Sequence, residues 1–121
     1  MTQEISIGIG CSSRATGEDV IRLVESCVTE VAPDGILATL DRCAGIGEQV
    51  AKALGLRLML FPASTLAQVS GVENPSAKAL ERVGTSSVAE ASALAALGPE
   101  ARLLIPRRIG SFCTCAVAVL P

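Results

Sequence analysis

The sequence predicts an α/β domain built on a mainly parallel sheet with one antiparallel strand. Three observations carry this expectation. Short apolar runs rich in Ile, Leu and Val alternate with segments of helical spacing. The breaks between them are brief and hold Gly, Pro and Asp. The last two apolar runs are joined with no room for a helix, so the chain must reverse direction there. At 121 residues the whole chain, 1–121, reads as one domain with its own core.

Each element has its own warrant. Ile5–Gly10 is an apolar run ending in Gly8-x-Gly10, the first strand. Glu18–Val31 has helical spacing, with Val20, Val24, Cys27, Val28 and Val31 on one face and Arg22, Glu25 and Thr29 on others. Pro33-Asp34-Gly35 is a turn and Ile36–Leu40 a second strand. A helix from Gly45 to Leu54 follows, closed by Gly55 as its C-terminal cap. Arg57–Phe61 is the third strand. A short helix opens at Thr65-x-x-Gln68, and another lies near Ser76–Val83. Ser87-x-x-Glu90 has the capping-box pattern and starts a helix over Val88–Leu97. Ala101–Ile105 and Cys113–Val119 are the last strands, joined by a loop over Pro106–Phe112.

Composition removes several classes of function. Half the residues are apolar, nearly all of them Ala, Val, Leu and Ile, with two Phe and no Trp, Tyr or His. Ten basic and twelve acidic side chains leave a slightly negative chain with no basic run and almost no aromatic surface, so nucleic acid is not the expected partner. No apolar run is long enough to span a bilayer and the N-terminus does not read as a signal peptide, so a cytoplasmic protein is expected. Five cysteines without a secretory signal argue against a disulfide framework. Lack of histidine removes the usual neutral-pH general base, which disfavours an autonomous hydrolase.

In an open parallel sheet, ligands bind beyond the carboxyl ends of the strands. The loops Cys11–Gly17, Asp41–Gly45, Pro62–Thr65 and Pro106–Phe112 should all leave at that edge, where the Ser87-capped helix also begins. Chain direction thus gathers Arg14, Arg42, Arg107 and Arg108 on one rim, with Gly10, Cys11, Ser12, Ser13, Thr16, Asp41, Gly84, Thr85, Ser86 and Ser87. Guanidinium groups beside helix N-terminal amides suit a polyanion. A dinucleotide is disfavoured, because Ser13 stands where the fingerprint wants glycine and no acidic residue ends the second strand. Cys11, Cys43 and Cys113 should also lie near this rim, and Cys115 should share a strand face with Cys113. With no C-x-x-C pair, no metal site is expected, and a Cys11 thiolate activated by Arg14 and a helix N-terminus would lack a histidine partner.

The strings GIGCSSRATGEDV, ILATLDRCAGI, NPS, VGTSSVAEASAL and LLIPRRIGSFCTCAVA resemble, in order and from about Ile5 to Val119, the CobE/CbiG C-terminal domain family of cobalamin biosynthesis. The resemblance implies a three-layer α/β/α sandwich with a mixed five-stranded sheet and a cytoplasmic role in building the corrin ring. The chain's length matches the free-standing, CobE-like form. It lacks the further domains that accompany lactone opening in the larger CbiG proteins, so that activity is not carried over. Corrinoid intermediates present carboxylates around a flat apolar ring. The expectation is therefore an accessory protein that binds a precorrin or corrinoid intermediate through its arginine rim, with Phe112 and Ile109 against the ring. No cofactor is implied, and without histidine any cobalt would be approached only through the ring's periphery. Two alternatives stand beside this: a precorrin-modifying enzyme using Asp41 or Cys11, or a docking partner for another enzyme of the pathway, such as a methyltransferase.

Overall fold

A computed structural model describes residues 4–28, 35–69 and 88–120. Five strands, β1 (Glu4–Cys11), β2 (Ile36–Leu40), β3 (Arg57–Phe61), β4 (Arg102–Ile109) and β5 (Cys113–Leu120), form one sheet in the order β3-β2-β1-β5-β4. β1, β2 and β3 are mutually parallel, while β5 runs antiparallel to both β1 and β4. The single reversed strand is the last one, as the missing crossover helix requires. This is the three-layer α/β architecture expected from the sequence.

Two helices cover one face of the sheet. α1 (Gly17–Cys27) buries Val20, Leu23 and Val24, and α2 (Ala44–Leu54) buries Gly47, Val50 and Ala51. They meet Ile7 and Ile9 of β1, Leu37 of β2 and Cys113, Cys115 and Val117 of β5 in one apolar cluster. α2 follows a single 3-10 turn, Asp41–Cys43, and ends at Gly55 with φ of 70°, a left-handed cap that favours glycine. α1 is shorter than its periodicity suggests: the chain is already extended at Val28, which caps the helix at Cys27.

The opposite face carries the one-turn helix α3 (Ala63–Leu66), which starts before Thr65, and α4 (Val88–Leu97). Ala89 through Leu94 are all buried. Small residues let α4 lie against the backbone of β1. A Cβ on Gly8 would run into the carbonyl oxygen of Ala89, and one on Gly10 would lie 2.7 Å from Thr114 Oγ1. The two glycines thus belong to β1, and their lack of a side chain permits close helix–sheet contact. Ser6 donates to the carbonyl of Ala93, and Ser92 Oγ lies 3.2 Å from the Ala38 carbonyl oxygen, so buried hydroxyls tie the layers together.

The fourth strand corrects the sequence reading. β4 does not stop at Ile105 but continues through Pro106, Arg107 and Arg108 to Ile109, with register shifts between Leu103 and Ile105 and between Ile105 and Arg108. Proline is admissible there because β4 is an edge strand and the ladder is already interrupted. The connecting loop shrinks to Gly110–Phe112, closed by Gly110 N–H to the Cys113 carbonyl at 2.9 Å. The helix expected near Ser76–Val83 lies outside the described residues.

Candidate functional site

The strand register brings the carboxyl ends of β1, β2, β3 and β4 to one edge. Cys11 stands opposite Cys113, Ile109 opposite Thr114, and Leu40 opposite Phe61. α4 runs against β1 with Ala93 at Ser6 and Val88 at Gly10, so its first turn also reaches this edge. The segment leading into it, with Gly84, Thr85, Ser86 and Ser87, lies outside the described residues.

The loop after β1 is held at both ends. Ser12 N–H donates to the Phe112 carbonyl at 2.9 Å, joining the loop to the β4–β5 hairpin. Ser12 Oγ accepts from Arg14 N–H at 3.2 Å, which turns the chain. Arg14 then places its guanidinium over the Phe112 ring, 5.1 Å from the centroid. Phe112 has φ of 64°, an uncommon conformation for a bulky residue, and is 51% exposed beside Ile109 at 73%. A cation over an exposed ring, with exposed Ile109 on the strand entering the turn, thus lies at the hairpin tip.

Thr16 also caps α1. Its hydroxyl accepts from Asp19 N–H and Asp19 Oδ2 accepts from Thr16 N–H, both at 3.1 Å, a complete capping box. With Glu18 and Asp19 in the first turn, negative charge already complements this helix end. The α1 dipole is thus already offset, and cationic contacts at this edge come from the arginines.

Asp41 and Arg42 are exposed on the 3-10 turn after β2. Arg107 and Arg108 sit at the end of β4 rather than in a loop. Arg108 pairs in register with Cys115, on the face that carries α1 and α2. Successive strand residues face opposite ways, so the two arginines approach the rim from different sides. Arg107 is fixed through its backbone: its N–H donates to Glu90 Oε2 at 2.9 Å. Glu90 is fully buried, a carboxylate from α4 anchoring the irregular part of β4. Its place in the capping-box pattern gave no sign of this long-range contact.

Cys11, Cys43 and Cys113 meet at this edge as chain direction implies, and Cys115 shares a cluster with Cys113. Cys43, at the end of the 3-10 turn, places Sγ 3.9 Å from the Cys11 carbonyl oxygen. A hydrogen bond shared by the two thiols pushes Cys11 well above the ordinary thiol range, with burial adding to the shift. The same bond lowers Cys43 to about 6, against the opposing effect of burial and with help from the Cys11 backbone, Thr39 and Arg42. The two shifts run in opposite directions and favour the proton on Cys11 over Cys43. Burial raises Cys113, with Asp19 adding to it, and burial followed by the neighbouring Cys27 raises Cys115. Among the described residues no group of three or more Cys, Asp or Glu is arranged to hold a metal ion, and no helix is long and apolar enough to cross a membrane.

Fold and rim together define a small α/β domain whose polar and cationic residues gather at the carboxyl edge of a mixed sheet. The Cobalamin synthesis G C-terminus family matches residues 5–118, and the chain belongs to it. It is accordingly a protein of the cobalamin biosynthesis pathway. The chain is 33% identical over 119 residues to Protein CobE of Sinorhizobium sp., spanning 93% of this chain and 77% of that one. The crystal structure of CobE, a protein from the cobalamin (vitamin B12) biosynthetic pathway, superposes with a TM-score of 0.86 at 30% identity, covering 100% of this chain and 93% of that one. Cobalamin biosynthesis protein chiG from Agrobacterium tumefaciens is 29% identical with a TM-score of 0.66, covering 94% and 96% of the two chains.

Proposed function

We propose that this protein binds a precorrin or corrinoid intermediate of the pathway at the carboxyl edge of its sheet, without chemically altering it. One arrangement carries the reading: the Arg14 guanidinium stacked 5.1 Å from the Phe112 centroid, beside exposed Ile109. A flat apolar macrocycle fringed with carboxylates needs apolar surface for its face and guanidinium groups for its edge. Arg14, Arg42, Arg107 and Arg108 supply the cations, and Phe112 and Ile109 the apolar contact. Gly10, Cys11, Ser12, Ser13, Thr16 and Asp41, with Gly84, Thr85, Ser86 and Ser87, make up the rest of the binding set we propose.

An absorbance titration of metal-free and cobalt-containing intermediates tests this, with the Arg14→Ala/Arg107→Ala double variant as control. A saturable spectral shift without product, weakened at least tenfold in the variant, is expected, since a hydrogen bond to a charged group contributes about 1.5–3 kcal/mol. A time-dependent change to a new spectrum would replace this reading with an enzyme. The absence of any shift would leave docking to a pathway enzyme.

A further inference from the structure

Cys11 and Cys43 come from neighbouring strands of the sheet and meet at its carboxyl edge. Cys11 is the last residue of β1 and half-buried, whereas Cys43 closes the turn after β2 and is 8% exposed. Parallel neighbours in a sheet lie about 4.8 Å apart, which brings residues at their ends close together. Cys43 Sγ is 3.9 Å from the Cys11 carbonyl oxygen, a sulfur hydrogen bond that places the Cys43 thiol against the backbone of Cys11. Apolar side chains surround the pair: Cys11 packs against both principal clusters of the core, and Cys43 lies within the second.

We propose that Cys11 and Cys43 are a redox pair that closes to an intramolecular disulfide, with Cys43 taking the oxidant and Cys11 resolving it. This stands on the two thiols alone and does not depend on what the rim binds. The oxidant is a hydroperoxide, small enough to reach a nearly buried sulfur. The Cys43 thiolate attacks one peroxide oxygen, the O–O bond breaks, and the departing oxygen takes up a proton to leave as water or an alcohol. Cys43 is then a sulfenic acid. The Cys11 sulfur attacks it, the S–S bond forms, the S–O bond breaks, and the hydroxyl leaves with the Cys11 proton as water. Two electrons pass from the thiols to the peroxide. The lowered proton affinity of Cys43 makes it the sulfur that reacts first, while burial keeps Cys113 and Cys115 protonated.

The experiment treats the reduced full chain with one equivalent of hydrogen peroxide, counts free thiols, and maps disulfides by peptide mass spectrometry. The expected result is a loss of two of the five thiols, recovered as one Cys11–Cys43 linked peptide. Alkylation of Cys43 in the untreated protein should have its midpoint near pH 6. In Cys11→Ser, Cys43 should stop at the sulfenic acid and be trapped by dimedone. A Cys27–Cys115 link, no thiol loss, or Cys43 alkylation with a midpoint above pH 8 would overturn the proposal. The last two readings use the unmutated chain, so a variant that failed to fold would not shield it.

Discussion

Phe112 shows how one residue can trade stability for surface. Its left-handed backbone costs on the order of 1 kcal/mol or more in a bulky residue, yet the turn places the ring under Arg14. Phe112→Gly should therefore keep or raise the unfolding free energy in urea, by up to ~1 kcal/mol, while weakening the spectral titration. Glu90 is the converse. Glu90→Ala should destabilise the fold by about 1–3 kcal/mol, because the Arg107 N–H loses its buried carboxylate acceptor. Urea denaturation measures this directly, and an unchanged midpoint would show that water replaces the carboxylate. Neither role was legible in the sequence. A positive φ at Phe112 follows from the tight Gly110–Phe112 connection, which exists only because β4 runs past its proline.

At the scale of elements, periodicity and turn chemistry located most of the fold. β2 and β3 and the body of α4 match the sequence reading residue for residue, because each is a strongly patterned run between clear breaks. Errors fell where tertiary context decides. Pro106 reads as a stop but is tolerated on an edge strand, and Val28 continues the α1 pattern while the chain has already turned away. The rim was legible as a set of strand ends, since chain direction alone assigns loops to edges. The thiol pair was not, because it depends on how far a 3-10 turn carries Cys43 back across β1. α1 also gives a test that separates capping from ligand contact. Thr16→Ala should cost roughly 1 kcal/mol in thermal or urea unfolding, and Thr16→Ser should restore it.

For the whole molecule, the thiols couple stability to pH in two opposite directions. Cys43 holds its proton less tightly when folded, so the stability it contributes is present above pH 9 and lost as pH falls toward 6. Cys11, Cys113 and Cys115 hold theirs more tightly, so their contribution is present below the unfolded thiol range and lost as pH rises beyond it. The thermal midpoint of the reduced protein should therefore climb between pH 6 and 9 and decline above it. Cys43→Ser should flatten the climb and leave the decline. A climb that survives the substitution would assign it to other groups.

The contact between α4 and β1 has a consequence for how this domain tolerates change in length. With Ala93 held by the Ser6 hydroxyl, Ala89 against Gly8 and Val88 beside Gly10, the helix is indexed along the strand at three successive points. Its starting position at the rim is thus set by the sheet it packs on. A change of length upstream of Gly84 should therefore leave the first turn of α4 in register with β1 at the rim.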